Sequence, residues 1–332
     1  MTRVDTRRWL LGLWRLIRPV PVTGWGLAAP FVGLAAAIGE VGFADIDWGL
    51  LALAILVVVI IHGYLSHAIN DRVDWQSGTD RYTEGVLSGG SKVLHLDLFS
   101  LGELSQIGLV ALLASAALGI YVAVRAGSWV WPHLVIGIGA ALAYSLPPLR
   151  LSYRPLLGEW LCALPALAAA SSCTYYVAAG VVSGRAVLAG ALHGLFCLGW
   201  LMEHHISDAP ADLRATPRKV TTVAYVTLRW GSGAAPWVAA SYFLLAIPLS
   251  ISLWCHDSLR LVRSIPSITM ALVAAATAAN TNANSVADVT RRERSLILVA
   301  FTHVIWLGLA LTNAFGWLIL MNRGFLFSTL PT

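Results

Sequence analysis

Long apolar stretches repeat along the whole sequence, and polar residues are confined to the short segments between them. A helix needs about 20 mostly apolar residues to cross a bilayer. Nine stretches fit this requirement: residues 19–38, 48–69, 105–124, 129–147, 159–181, 186–206, 233–255, 264–281 and 296–320. Charged residues make up only 12% of the chain, against about 25% in soluble domains. A soluble enzyme is therefore excluded, and we expect an all-α membrane protein with about nine transmembrane helices in a single domain over residues 1–332.

Basic residues are distributed unequally between the two sides of these spans. If the N-terminus is cytoplasmic, 17 of the 22 Lys and Arg residues fall on the cytoplasmic side. The other five are Arg125, Arg185, Arg260, Arg263 and Arg323. Cytoplasmic loops carry an excess of positive charge, so the pattern predicts this orientation in the plasma membrane of a bacterium, with the site described next opening to the cytoplasm. The net charge of +5 is then explained by the helix flanks and not by nucleic-acid binding.

Acidic residues gather at the ends of two spans that run in the same direction. The cluster at the end of the second span consists of Asn70, Asp71, Asp74, Asp80 and Glu84, and the cluster at the end of the sixth consists of Glu203, His204, His205, Asp208 and Asp212. If each helix continues this far, Asn70 and Asp74 share a face, as do His204, Asp208 and Asp212. Acids at membrane helices are functional candidates by default, so we interpret the two clusters as one site.

The spacing of the acids points to a divalent cation. Like charges four residues apart on a helix repel each other, and a cation between them removes the repulsion. Oxygen ligands without cysteine favour Mg²⁺, or Mn²⁺. The only two lysines, Lys92 and Lys219, follow the two clusters, and Arg218 adjoins the second. Aspartates for metal ions together with nearby cations are the groups that a diphosphate requires, and we predict a diphosphate site.

Several segments resemble the UbiA superfamily of membrane prenyltransferases. Residues 70–80, NDRVDWQSGTD, are similar to its first aspartate-rich motif, and the continuation is closest to the 1,4-dihydroxy-2-naphthoate prenyltransferase branch. Residues 208–212, DAPAD, resemble the second motif, DxxxD. Residues 144–154 and residues 17–19 resemble two further segments of the family. The resemblance covers most of the chain and implies nine transmembrane helices around a central cavity.

The resemblance also implies a reaction and its metal ligands. Mg²⁺ would bind an isoprenyl diphosphate, and the charge that develops on the leaving diphosphate would be stabilised by metal ions and cations. A hydrophobic, often aromatic, acceptor then attacks the allylic carbon. The first motif supplies a third acid that must approach from a loop. The metal ligands so implied are Asn70, Asp71, Asp74, Asp80, Asp208 and Asp212.

Further residues near the motifs are candidates for the site. His204 and His205 are interpreted as metal ligands, as general bases that take a proton from the acceptor, or as capping residues. The loop after the fourth span is also close to the site and offers cations and a phenol, which either clamp the diphosphate or belong to the positive flank. These loop residues are Arg150, Tyr153 and Arg154.

Two alternative functions stay open. A cyclase of the same superfamily would ionise the diphosphate and let the chain's own double bonds attack. The sequence departs from the family pattern at His204, at residues 212–219 and at residues 86–92, which leaves the acceptor open. A cation- or proton-coupled transporter is the remote alternative, since paired acids in spans also mark ion pathways. Both acid clusters lie at one membrane edge on spans of the same direction, which argues against the inverted repeats and midplane site of a transporter. Residues 291–294, RRER, are interpreted as the positive flank of the last span.

Overall fold

The fold is helical throughout the part of the chain that the computed structural model describes, residues 6–83 and 89–313. This confirms the predicted all-α class. The helices are α1 (Thr6–Leu16), α2 (Pro19–Val41), α3 (Trp48–Ser77), α4 (Leu101–Ala126), α5 (Val130–Ser145), α6 (Glu159–Ala179), α7 (Gly184–Asp212), α8 (Thr222–Trp230), α9 (Ser232–Leu253), α10 (Arg260–Ala279) and α11 (Val286–Leu311). Of the sequence predictions, Glu84, residues 86–88, Arg323 and the end of the last span, residues 314–320, lie outside the described residues.

Eight of the described helices are long and apolar enough to cross a membrane. They coincide with eight of the nine predicted spans. The other predicted span, residues 129–147, coincides with α5, which is apolar but only 16 residues long and ends just before Pro147 and Pro148. Large apolar side chains face outward, with Val124 74% exposed and Leu298 68% exposed, as expected of a surface that contacts lipid. The chain is therefore an integral membrane protein.

Two of the membrane helices extend well beyond the apolar stretch that predicts them. The predicted spans end at residues 69 and 206, whereas α3 continues to Ser77 and α7 to Asp212. A helix satisfies its backbone hydrogen bonds internally whatever its side chains are, so the polar motifs did not end either helix. As a result, most of the acids of both clusters lie on rigid helical backbone and not in loops.

The helix α7 lies at the centre of the bundle and contacts α2, α6, α9 and α11. Small residues allow close approach both at these contacts and between the helices around α7, as is common between membrane helices. On α2, a Cβ added at Gly33 would lie 2.0 Å from the carbonyl oxygen of Ser171 on α6. On α7, a Cβ added at Gly190 would lie 3.1 Å from the Cα of Ala168. The core around α7 is therefore packed backbone against backbone at these points.

Three membrane helices contain π-helical stretches: Val22–Leu27 in α2, Ile60–Ser66 in α3 and Glu159–Ala163 in α6. Such wide turns are rare and occur frequently at functional sites. Each of the three supplies residues to a large cavity between the helices, among them Trp25, His62 and Cys162. We call the end of the bundle that carries Asp74 and Asp212 the acid end, and the other end the far end.

Candidate active site

The first acid of the site, Asp71 on α3, is held by two groups from other parts of the chain. The guanidinium of Arg18, which lies between α1 and α2, pairs with Asp71 Oδ1. The backbone N–H of Ser91 donates a hydrogen bond of 3.1 Å to Asp71 Oδ2, and the Ser91 hydroxyl donates to the same oxygen. Asp71 is thus a buried carboxylate whose charge is compensated within the protein.

The second acid, Asp74, connects three further segments. Asn70 Nδ2 donates to Asp74 Oδ2 at 3.0 Å, which confirms that the two residues share a helix face. The hydroxyl of Tyr153 donates to Asp74 Oδ1 at 2.9 Å. The ammonium of Lys219 donates to Asp74 Oδ2 at 2.7 Å, and it also lies 5.6 Å from the centre of the Tyr153 ring. Asp74 is therefore the point at which α3, the loop after α5 and the loop after α7 meet.

A tight loop brings Asp80 towards the same acids. A Cβ added at Gly90 would lie 2.5 Å from Asp80 Oδ2 and 2.9 Å from Asp71 Oδ1. Gly90 also has a φ of +71°, which a side chain would strain. Burial, together with the nearby charges of Asp74 and Asp71, raises the pKa of the Asp80 carboxyl well above its usual range. Only a glycine lets this loop approach both carboxylates, and the third acid predicted from the sequence does reach the site.

The acids of the second motif stand opposite, on the last turns of α7. Asp208 lines the cavity, and Asp212 is fully buried. Lys219 Nζ lies 3.9 Å from Asp212 Oδ1. The carboxylates of Asp74 and Asp212 outweigh the effect of burial and hold the pKa of the Lys219 ammonium well above its usual range. A charged Lys219 between Asp74 and Asp212 therefore joins the two motifs into one site.

A second hydrogen-bonded group adjoins Asp208. His204 Nε2 lies 3.3 Å from Asp208 Oδ2, and His204 Nδ1 lies 3.0 Å from Glu293 Oε1 on α11. Trp200 Nε1 donates to the same Glu293 oxygen at 3.2 Å. His205 also lines the cavity, and its Nδ1 has no hydrogen-bond partner within the described residues. Both histidines therefore reach the cavity, and His204 is held in a fixed orientation by two carboxylates.

These groups surround the acid end of one cavity of about 740 Å³. Polar lining groups at this end include Asn70, Asp74, Asp80, Ser91, Lys92, His204, His205, Asp208, Lys219 and Glu293. Trp25 and Trp200 meet edge to face beside them, with ring centres 6.2 Å apart. Further from the acids, the wall consists mostly of alanine, glycine, valine and leucine. The cavity thus combines a charged mouth with a long apolar interior.

Three cations predicted to clamp a diphosphate do not line this cavity. Arg154 and Arg218 are exposed, and Arg218 Nε donates to the backbone oxygen of Leu213 at 3.0 Å. The guanidinium of Arg150 lies 5.5 Å from the Tyr153 ring centre. Their clamp role stays a prediction, whereas Lys92, Lys219 and the Tyr153 hydroxyl lie at the acids.

The buried oxygens of the second motif fit a divalent cation. Asp208 Oδ1 and both carboxylate oxygens of Asp212 are buried without a hydrogen-bond partner among the described residues, and such orphaned oxygens need an explanation such as an ion. Within residues 6–83 and 89–313, no three His, Cys, Asp or Glu side chains converge closely enough to hold a metal by themselves. Both observations fit Mg²⁺, which is usually bound by one or two carboxylates together with substrate phosphates.

Sequence reasoning missed three participants. Arg18 was noticed only as part of a family segment, although it pairs with Asp71. Ser91 was not singled out, and Glu293 was interpreted as part of a positive flank, yet it is buried and bonded to His204. The one signal for Glu293 is an acid among three arginines at the start of a membrane helix. Arg18 and Ser91 carry no comparable signal.

Solved structures of a UbiA homolog from Archaeoglobus fulgidus have a similar fold. The structure bound to DMAPP and Mg²⁺ has a TM-score of 0.60 and 16% sequence identity, covering 88% of this chain and 98% of that chain. The structure bound to GPP and Mg²⁺ has a TM-score of 0.59 and 16% identity, covering 88% and 99%. No family model and no curated protein matches the sequence. The UbiA-like fold implied by the sequence is thereby confirmed, and its branch stays a prediction.

Proposed function

We propose that this protein is a Mg²⁺-dependent prenyltransferase, which ionises an isoprenyl diphosphate and transfers the prenyl group to an aromatic acceptor. One observation carries the proposal: Lys219 lies between Asp74 and Asp212 at one end of a long apolar cavity, and carboxylate oxygens of Asp208 and Asp212 are buried beside it without a hydrogen-bond partner among the described residues. A diphosphate suits the charged mouth, and a prenyl chain suits the interior. The homolog structures, bound to DMAPP or GPP with Mg²⁺, support the same substrate class.

The residues that would hold Mg²⁺ are the acids of the two motifs with Asn70, namely Asn70, Asp71, Asp74, Asp80, Asp208 and Asp212. Bound there, the metal supplies positive charge that stabilises the leaving diphosphate. Mn²⁺, which has the same preference for oxygen ligands, is expected to substitute for it. In the protein without ligand, Arg18 and Lys219 already neutralise Asp71 and Asp74. These two cations lie close enough to the acids to contact the phosphates of a substrate bound there.

The reaction is redox-neutral. The bond between the allylic carbon and the diphosphate oxygen breaks, and the electron pair leaves with the diphosphate. Lys92 and Lys219 stabilise that negative charge, while the faces of Trp25 and Trp200 stabilise the positive allylic carbon. An electron pair of the acceptor forms the new bond to this carbon, and the acceptor then loses a proton. His205 lines the cavity, its Nδ1 has no hydrogen-bond partner among the described residues, and it is our candidate to receive that proton.

The lining of the cavity favours transfer over cyclisation. A cyclase must stabilise positive charge along the whole folded chain, for which aromatic faces are suited. Among the described residues that line the cavity, the only Trp, Tyr or Phe are Trp25, Tyr144 and Trp200. The apolar interior therefore offers no aromatic surface to a migrating cation. It suits an extended chain that keeps its charge at the allylic end.

The proposal extends to acceptor and orientation. His62 and Trp25 are stacked in parallel, with ring centres 6.0 Å apart and an angle of 11°, beside the acid end. A flat acceptor such as a dihydroxynaphthoate would extend this stack.

The mouth would open to the cytoplasm, because the predicted inside loops carry most of the basic residues. In this orientation both the diphosphate substrate and the released diphosphate are in the aqueous phase of the cell interior.

The test uses purified protein in detergent with Mg²⁺, allylic diphosphates and 1,4-dihydroxy-2-naphthoate. We expect diphosphate release and a prenylated product, and we expect both to disappear when EDTA is added. Asp74→Asn should abolish release, whereas Asp47→Asn should retain it, because Asp47 only caps the far end of the same helix and Asn caps equally well. A cyclic product formed without acceptor would identify a cyclase. Absence of release from every diphosphate would refute the proposal.

A further inference from the structure

The apolar interior of the cavity has a measurable length along α5. At the acid end, the Ser145 hydroxyl donates a hydrogen bond of 3.1 Å to Asn70 Oδ1, which fixes this end of α5 to the metal-binding motif. Cavity-lining residues then continue along α5 from Tyr144 to Val130. Fourteen residues of α-helix span about 21 Å at a rise of 1.5 Å per residue. The interior thus crosses most of the membrane thickness.

Small apolar side chains line the cavity along this length. On α6, across from α5, the lining residues include Ala163, Ala166, Ala170 and Cys173. Small side chains leave room for a branched hydrocarbon. They also present no polar group that would need a hydrogen-bond partner on the hydrocarbon. Because burial of apolar surface is favourable roughly in proportion to its area, a chain that fills the channel binds better than a short one.

A polar pair stands near the far end of this channel, about one helical turn before Val130. His133 on α5 lines the cavity, and its Nε2 lies 3.0 Å from the hydroxyl of Ser172 on α6. Its Nδ1 lies 2.5 Å from the backbone oxygen of Trp129. Both ring nitrogens are therefore engaged, and the ring is fixed across the space between the two helices. A hydrocarbon chain that extends to Val130 must pass this fixed ring.

We propose that the channel that runs along α5 from the acid site past the His133–Ser172 pair to Val130 selects prenyl chains of three to four isoprene units, C15 to C20. Each isoprene unit adds four chain bonds, about 5 Å when extended. The eleven residues from Tyr144 to His133 span about 16 Å and hold three units, and the fourteen residues from Tyr144 to Val130 span about 21 Å and hold four. The inference rests on the proposed function and specifies its substrate. DMAPP and GPP, with one and two units, would leave most of the channel unfilled.

Gly137 is the position at which this length can be changed. It lies on α5 midway along the channel and lines the cavity. A Cβ added there would meet only Ile61 Cδ1, at 3.5 Å, which is an ordinary contact. A leucine at this position therefore enters the channel and not a neighbouring helix. Gly139, two residues further on, is exposed, and nothing lies within 4 Å of an added Cβ, so it provides a matched control on the same helix.

The first experiment measures kcat/KM of the wild-type protein for allylic diphosphates from C5 to C30. We expect C15 or C20 to exceed C5 and C10 by at least about ten-fold, with a decline at C25 and C30. Equal turnover of C5 or C10, or full turnover of C30, would overturn the inference while leaving the proposed function intact. Turnover of no diphosphate would instead refute the proposed function. In that case, the rise in melting temperature on adding each diphosphate with Mg²⁺ still tests the length preference.

The second experiment compares Gly137→Leu with Gly139→Leu. Gly137→Leu should raise the ratio of C10 to C20 turnover at least about ten-fold, because insertion of methylenes into filled space is strongly unfavourable. Gly139→Leu should leave the ratio unchanged. The same ratio in both variants would contradict the assignment of the channel. If Gly137→Leu does not fold, His133→Ala decides instead, because it opens the far end and should raise C25 turnover relative to C20.

Discussion

The ammonium of Lys219 donates a hydrogen bond of 2.7 Å to the carboxylate of Asp74, across 145 residues of sequence. Both groups are buried, and neither is tolerated in such a place without an opposite charge. Lys219 is also 3.9 Å from Asp212. It is therefore the internal counter-ion of both acid motifs, and it holds them in position before any metal or substrate binds.

Replacement of Lys219 by methionine should reduce turnover by at least about 100-fold, because breaking a buried ion pair costs several kcal/mol. It should also lower the melting temperature, since Asp74 and Asp212 lose their counter-ion. Steady-state kinetics and thermal unfolding in detergent measure the two effects. Arg214→Met is the control, because Arg214 is exposed in the same loop and should change neither quantity. Full activity of Lys219→Met would remove Lys219 from the site.

Glu293→Gln should lower kcat about ten- to a hundred-fold with little change in the KM for the diphosphate. Glu293 orients His204 and accepts from Trp200, and loss of an orienting partner behind a metal-site residue typically costs this much. Arg291→Gln is the control, since Arg291 lies two residues away on the exposed side of the same helix. Equal kcat values for the two variants would show that Glu293 has only a structural role.

Mg²⁺ affinity should increase with pH. The raised pKa of Asp80 means that its carboxyl keeps a proton at pH values where an ordinary carboxyl has lost it, and metal binding must expel that proton. Without metal, the same raised pKa makes the folded state bind the proton more tightly than the unfolded state, so the free energy of unfolding falls as pH rises through the raised pKa. Mg²⁺ titrations at a series of pH values above the usual carboxyl pKa of about 4 measure the first effect. Asp80→Asn should flatten the pH dependence, and an unchanged slope would exclude Asp80 as its source.

Gly33→Ala should destabilise the bundle by about 1–3 kcal/mol, as expected of an overpacked core. The added Cβ would lie 2.0 Å from the carbonyl oxygen of Ser171, so α2 and α6 must separate. Thermal or denaturant unfolding in detergent gives the comparison. Gly139→Ala, where nothing lies within 4 Å of the added Cβ, should not destabilise. Helix propensity alone favours alanine over glycine at both positions, so a similar loss in both variants would show that the close approach of α2 and α6 is not its cause.

The sequence was most informative where physical constraints act locally. Hydropathy over some 20 residues predicts a membrane helix, and a spacing of four predicts a shared face, as Asn70 and Asp74 confirm. Hydropathy does not predict where a helix ends, so α3 and α7 both extend beyond their predicted spans. Pairings between distant segments carry no local pattern either. Arg18 with Asp71 and Glu293 with His204 are 53 and 89 residues apart, and only the folded bundle brings them together.

The π-helical stretch Ile60–Ser66 has a geometric consequence for the acid motif. Ile61 lies at the start of the stretch and Asn70 lies after it, and both line the cavity. Nine residues of regular α-helix make two and a half turns, which would place these two side chains on opposite sides of α3. One residue accommodated in a widened turn rotates everything that follows by roughly 100°. The wide turn therefore brings the polar residues that follow it closer to the side of α3 on which Ile61 lines the cavity. Deletion of a single residue within it would rotate Asn70 and Asp74 by about 100° about the helix axis, away from the cavity that they line, with every side chain of the motif unchanged.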